Sequence, residues 1–234
     1  VTDLSPGRLL AFAQGELRLL GPAFPRFFLA GGAFKTLLHR RPPRDLDLWA
    51  ESPEDRALLL DALLRHGARP LPPSPGAERF LAGERLVEVS FQIETMEERL
   101  ARFDLALSCC AVAFRGGTPS AFCHPLALAS VERREVLLLR LAHPSLALAT
   151  LSRARRYAAD LGYAVPPSLE ELAWSAFLAH PPEEQRVLIE KLHHHHGEET
   201  FGVAEEAHLR SRAACTLVWV APPSAREGEG GRGG

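Results

Sequence analysis

Apolar positions change period several times along the chain, and each change marks an element. Residues 5–20 open Ser-Pro-Gly and carry Leu9, Leu10, Phe12, Leu17, Leu19 and Leu20. This predicts a first helix capped by Ser5, with Pro6 in its first turn. Phe27-Phe28-Leu29-Ala30 is continuously apolar and runs into Gly31-Gly32, as a short buried strand ending in a turn would. A short helix over 33–39 is expected next. Pro42-Pro43 stops it and forces the chain to leave extended. Asp45-Leu46-Asp47-Leu48-Trp49 then alternates polar and apolar, the period of a half-buried strand. Ser52-Pro53-Glu54-Asp55 starts a helix whose inner face is expected to be Leu58, Leu59, Ala62 and Leu63.

The proline-rich stretch 69–77 reads as a loop. Around Gly83, residues 78–82 and 85–92 read as a hairpin, with Val87, Val89 and Phe91 on one face and Glu88, Ser90 and Gln92 on the other. Thr95-Met96-Glu97-Glu98 matches a capping box opening a short helix that ends near Arg102. A strand over 104–114 is expected to turn back through Arg115-Gly116-Gly117-Thr118 toward 120–123, with another short strand near 135–141. From about 143 to 195 the pattern is helical. These elements predict an α/β (α+β) chain: a head with a small mixed sheet over 1–142, a short all-helical unit over 143–221 and a disordered tail over 222–234. No internal repeat is present.

The chain has 234 residues, 46% hydrophobic and 24% charged, enough apolar surface to close a core without disulfides or a structural metal. A net charge of -2 excludes a strongly basic, charge-driven nucleic-acid binder. Cys109, Cys110, Cys123 and Cys215 show no CxxC spacing and are expected to be reduced thiols. No apolar stretch approaches the roughly 20 residues that span a bilayer, and the first 30 residues lack a basic-then-apolar signal. A cytoplasmic protein without membrane association is therefore expected.

Three features share one chemical logic. Gly31-Gly32 ends a strand and opens a helix, where backbone N–H groups are expected to be free to meet phosphate oxygens. Asp45 and Asp47 stand two apart on a strand, so both carboxylates project from one face. Paired carboxylates of this kind suit Mg²⁺, which takes oxygen ligands. Glu88, on the polar face of another strand, is a third carboxylate able to complete a two-metal site. Phosphoryl transfer uses such a layout to activate a hydroxyl and to stabilise the leaving pyrophosphate.

The stretch from Leu29 to Leu48 (Leu29-Ala30-Gly31-Gly32-Ala33-Phe34-Lys35-Thr36, then Asp45-Leu46-Asp47-Leu48) resembles the head motif of class II CCA-adding enzymes and bacterial poly(A) polymerases. These belong to the polymerase-β-like nucleotidyltransferase superfamily. Val87-Glu88-Val89-Ser90-Phe91-Gln92 resembles the family's EVATFR strand, and Arg153 to Tyr163 resembles its RAIRFAAQLGF neck helix. Arg102-Phe103-Asp104-Leu105 followed by Ala111-Val112-Ala113-Phe114 is loosely similar to RRDFTINALAY. Lys35-Thr36 stands where the family has Arg-Asp, and Thr150 where it has an arginine before the neck helix. The resemblance spans about residues 25–165.

It implies that Asp45 and Asp47 bind Mg²⁺ or Mn²⁺, with Glu88, or alternatively Asp104, as the third carboxylate. It implies that Gly31, Gly32 and Lys35 hold the triphosphate of an NTP such as ATP, with Arg153 and Arg156 as further phosphate contacts. The implied reaction moves an NMP from the NTP to an acceptor and releases pyrophosphate. The acceptor class (RNA 3′ end, small molecule or protein) and the oligomeric state stay open. Two alternatives remain: a non-catalytic nucleotide- or partner-binding descendant, and a minimal enzyme adding CCA or oligo(A) to RNA 3′ ends.

Other residues divide between bland and sharp roles. Arg153, Arg155 and Arg156 form either a phosphate clamp or a solvated helix face. His193–His196 read as a polar helix end or loop, with transition-metal binding the alternative. His124 and His143, each before a proline, read as loop residues. Tyr157 and Tyr163 either stack on a base or pack on a neighbouring helix. Trp174, Phe177 and Leu178 are expected in the core. The Thr216–Val220 run is an apolar element without an evident partner.

Overall fold

Strand β1 (Phe27–Ala30) is buried at all four positions. It lies antiparallel between β2 (Asp45–Ala50) and β6 (Cys110–Arg115). The computed structural model describes residues 3–20, 26–39, 41–116 and 118–196. Within them one seven-stranded sheet runs in the order β3-β4-β5-β2-β1-β6-β7, with β3 Arg69–Leu71, β4 Ala77–Ala82, β5 Arg85–Ile93 and β7 Thr118–Cys123. The β2–β5 pairing is parallel and the others are antiparallel. The helices are α1 (Pro6–Glu16), α2 (Thr36–His39), α3 (Pro53–Arg65), α4 (Met96–Leu100), α5 (Pro125–Arg133), α6 (Ala147–Leu161), α7 (Pro167–Leu178) and α8 (Pro182–His196). The chain is thus α+β.

Period-2 alternation gives the sheet two unlike faces. Leu46, Leu48, Val87, Val89 and Val112 share one core with Leu9 and Ala13 of α1, Leu17 just after it, and Leu59, Ala62 and Leu63 of α3. Leu151, Ala154 and Tyr157 of α6 join the same core. Each such leucine or valine contributes about 1.5–3 kcal/mol by leaving water. The opposite face carries a smaller cluster, Phe28, Ala30, Trp49, Ala111 and Ala113 under Met96 and Leu100. By strand alternation this second face is also the one from which Asp45, Asp47 and Glu88 project.

Several expectations from the sequence are met: the α3 start, with the Ser52 side chain accepting from the Asp55 N–H; the capping box at Thr95 and Glu98; the hairpin at Gly83; and the buried Trp174 and Phe177. Others are corrected. Ser5 precedes α1 but makes no capping bond, because its hydroxyl donates to Asp3. Residues 69–71 are a strand, paired with β4 at the sheet edge, where Pro70 is tolerated. Leu58 is 53% exposed and Phe91 45%. Phe91 leaves the core face because the β2–β5 register shifts between Leu48 and Ala50, which pairs with Ile93.

The strand expected over 104–114 starts only at Cys110. Before it, Asp104 turns its carboxylate onto the Leu105 N–H, and Ala106–Ser108 form a 3₁₀ turn. The strand expected over 135–141 is absent, replaced by two isolated bridges, Glu135 to Ala164 and Leu105 to Leu138. Helix α5 was not anticipated. His124 caps it through its ring, accepting from the Leu126 N–H, and His143 likewise accepts from the Ser145 N–H; both histidines are caps rather than plain loop residues. Cys215, the Thr216–Val220 run and the 222–234 tail lie outside the described residues, as do the side chains of His193–His196 at the end of α8. No helix among the described residues is long and apolar enough to cross a membrane.

The two faces of α3 give a direct check. Leu59→Ala, from the fully buried face, should lower unfolding free energy by about 2–5 kcal/mol in urea titrations. Leu58→Ala on the exposed face should change it by less than about 0.5 kcal/mol.

Candidate active site

The β2–β5 ladder sets Asp47 directly beside Glu88, with Asp45 two positions earlier beside Leu86. All three carboxylates therefore leave the same face. The glycine turn meets them there: a Cβ on Gly31 would stand 3.8 Å from Asp47 Oδ2. Gly31 has φ 89° and ψ −147°, a backbone region essentially closed to side-chain-bearing residues. Gly32 is needed for a different reason. A Cβ there would lie 2.9 Å from the Tyr157 hydroxyl.

The residues open into a cleft of about 660 Å³ lined by Gly31, Gly32, Asp45, Asp47, Glu88 and Arg156. Asp104, Arg153, Arg99 and Phe103 complete its far wall. A smaller pocket of about 310 Å³ adjoins it past Gly32, Asp45 and Arg156, and is lined also by Lys35, Arg44 and Asp160. One correction concerns the turn itself. The Gly31 N–H is not free, since it donates to the Cys110 carbonyl at 3.1 Å. The N–H groups unused by the helix start with Gly32.

The charges are crowded. Burial, then the negative charges of Asp45 and Glu88, push the Asp47 carboxyl up to about 7. Arg44 bonds Asp45 at 3.0 Å from a side chain that is 76% exposed, and Arg79 bonds Glu88 at 3.1 Å. No group of three or more His, Cys, Asp or Glu side chains among the described residues is gathered tightly enough to hold an ion alone. Asp45 and Asp47 fit a divalent cation as a pair. Their hard oxygens are the right donors, and the crowding of like charge around Asp47 is what a cation relieves.

Comparison with known proteins bears on the fold. No family model matches the chain, and no curated protein does. Solved structures do. A Thermotoga maritima CCA-adding enzyme complexed with tRNA is similar at TM-score 0.57 and 15% identity, over 92% of this chain and 54% of that one. A tRNA-processing enzyme in an apo form is similar at TM-score 0.55 and 17% identity, over 81% of this chain and 53% of that one. A CCA-adding enzyme with CTP matches at TM-score 0.54 and 14% identity, over 82% and 51%. The chain therefore shares the fold of these CCA-adding and tRNA-processing enzymes. The chain spans about half the length of these nucleotidyltransferase-fold structures.

On that fold the remaining residues take distinct positions. Asp104 is buried and held by Arg153 and the Thr150 hydroxyl as well as the Leu105 N–H. Lys35 pairs with Asp160 at 3.2 Å and lies 3.6 Å over the Tyr157 ring. Burial, outweighing Asp160, lowers its pKa. Tyr157 is a packed residue, its hydroxyl 3.0 Å from that of Ser108. Arg155 points away to Glu170. Arg156 lines both pockets and has no ion-pair partner among the described residues. Arg44, Arg99, Phe103 and Asp160 were not singled out from the sequence. Only Asp160, one turn after Arg156 on a helix already of interest, carried a usable signal.

Asp47 binds its proton more tightly folded than unfolded, so its contribution to stability is lost as pH rises from about 4 through about 7. Asp47→Asn should therefore melt higher than the parent at pH 8, by about 1–3 kcal/mol in unfolding free energy. At pH 4 the two should coincide in the same calorimetric scans.

Proposed function

We propose that the protein is a nucleotidyltransferase that moves an NMP from an NTP to an acceptor hydroxyl and releases pyrophosphate. The observation that carries this reading is the convergence of Asp45, Asp47 and Glu88 beside the Gly31–Gly32 turn in one cleft of this fold. Residues 1–142 would then supply the nucleotide chemistry and the described helices of 143–196 a helical wall, with Arg153 and Arg156 coming from α6; the rest of the helical unit expected to 221 lies outside the described residues.

In this reading Asp45 and Asp47 hold Mg²⁺ or Mn²⁺, with Glu88 beside them; Asp104 is disfavoured as the third carboxylate because Arg153 and Thr150 already claim it. A bound divalent cation would lower the pKa of the acceptor hydroxyl and stabilise charge on the transferring phosphorus. Gly32 and the residues after it present N–H groups to triphosphate oxygens. The close approach needs a residue without Cβ, which both glycines supply. Arg156 brings an uncommitted guanidinium, whose fork matches phosphate oxygens. Lys35 contributes less charge to the nucleotide while Asp160 holds it. Phe103 and Arg99, whose guanidinium lies 4.9 Å from the Phe103 ring centre, offer a flat surface for a base.

The matched structures are of tRNA-processing enzymes, which supports an RNA 3′ end as the acceptor, with small-molecule and protein acceptors as the rival outcomes. A non-catalytic nucleotide-binding role is favoured by one specific observation. Arginines already neutralise two of the three carboxylates, Arg44 on Asp45 and Arg79 on Glu88.

Incubation of the chain with each labelled NTP, Mn²⁺ or Mg²⁺, and a pool of tRNA, small molecules and protein separates these readings. Transfer predicts pyrophosphate release and label on one acceptor class, and Asp47→Ala should reduce the rate at least about 1,000-fold with the fold intact by circular dichroism. Nucleotide binding without pyrophosphate release for any NTP would establish the non-catalytic role instead.

A further inference from the structure

Away from the cleft, two thiols meet across the outer strands of the sheet. Cys110 on β6 pairs in register with Cys123 on β7, and their sulfurs stand 3.4 Å apart. Both are free thiols. The hydrogen bonding shows which kind of pair this is. The Cys110 carbonyl accepts from Gly31 on the β1 side, and the Cys109 carbonyl accepts from His124 on the β7 side. Polar groups alternate along a strand, so Cys110 and Cys123 face one another at a non-hydrogen-bonded position. There facing Cα atoms approach to about 4.5 Å and side chains come closest, which falls within the roughly 4.4–6.8 Å a disulfide spans.

The geometry points to Cys110 and Cys123 as a thiol–disulfide site that hydrogen peroxide oxidises and a small dithiol reduces, storing the oxidation as a bond between β6 and β7. The two sulfurs have unequal roles. Cys123 is half-buried, while Cys110 is fully buried. The Cys110 thiol donates to the Cys123 sulfur, which holds the Cys123 thiol below its usual range and, together with burial, Cys110 well above it. Cys123 is therefore the attacking thiolate.

The chemistry closes in two steps. The Cys123 thiolate attacks one peroxide oxygen and the O–O bond breaks. Cys123 becomes a sulfenic acid, and the departing hydroxide leaves as water with the proton that Cys123 had released. The Cys110 sulfur then attacks the Cys123 sulfur and the S–O bond breaks. Hydroxide leaves with the Cys110 proton as a second water. Two thiols lose two electrons in all, and the peroxide gains them.

Cys109 is a built-in control. It belongs to the cluster on the other face of the sheet, its sulfur lies 3.6 Å from the Leu100 carbonyl, and burial pushes its thiol up to about 11. The site rests on strand pairing alone and not on the nucleotide reading. It does touch the cleft through the backbone, because the carbonyl of Cys110 anchors the Gly31 turn.

The test treats the full chain with hydrogen peroxide, traps remaining thiols with N-ethylmaleimide, and maps the peptides by mass spectrometry. A Cys109→Ser variant leaves one cysteine in the β6 fragment and so removes ambiguity from the mapping. The expected product is a Cys110–Cys123 link that dithiothreitol reverses, with a melting temperature that rises on oxidation and returns on reduction. Cys123→Ser should form no link and show no rise. Recovery of both residues as maleimide adducts after peroxide would overturn the proposal. So would sulfinic acid at Cys123 without a link, or a link made instead to Cys109 or Cys215. None of these readings of the parent chain requires the Cys123→Ser variant to fold.

Discussion

A strand that buries one edge-on row of leucines must present its other row to something else, and β2 presents aspartates. Leu46 and Leu48 are locked into the larger core, so a slip of one residue would bury both carboxylates and expose both leucines. That penalty fixes the direction of Asp45 and Asp47 more firmly than any contact they make themselves. Parallel pairing with β5 then brings Glu88 alongside, and antiparallel pairing with β1 delivers the glycine turn to the same end of the sheet. The cleft is a by-product of one face being filled and the other left partly bare.

Repulsion among these acids is part of the arrangement. Asp47 sits where burial and two like charges oppose its ionisation, while Asp45 and Glu88 each lean on an arginine. The Arg44 pair is largely solvated, and exposed ion pairs are worth only about 0–1 kcal/mol. Such a contact yields readily to a stronger cation. Arg153 is different. It is spent on the buried Asp104 and ties α6 to the segment before β6, which leaves Arg156 as the arginine of α6 that lines the cleft with no ion-pair partner among the described residues.

Much of this could be read from residue order, for reasons that also explain what could not. Period-2 patterns at 45–49 and 86–89 report burial on one face, so the strands and the direction of their carboxylates were legible. Gly31 and Gly32 stood out because a turn between a buried strand and a helix needs them. Phe91 misled because a register shift is a property of two strands together. The 104–110 segment misled because the side chain of Asp104 takes a backbone N–H and meets an arginine 49 residues away. Arginine partners in general were hidden: Arg44, Arg79 and Arg153 are long enough to reach several acids, and only the assembled sheet and α6 select one. Edge strand β3 was concealed by Pro70, which argues against a strand anywhere but at an edge.

Tyr157 carries a constraint of another sort. Its hydroxyl fills the space that a methyl group at residue 32 would occupy, while its ring lies under Lys35 and its oxygen meets Ser108. Positions 32, 35, 108 and 157 thus form a linked set in which a larger residue at one demands a smaller or less polar partner at another. Divergent copies of this chain should change these four places in concert, and a lone alanine at residue 32 should be found only where residue 157 has given up its oxygen.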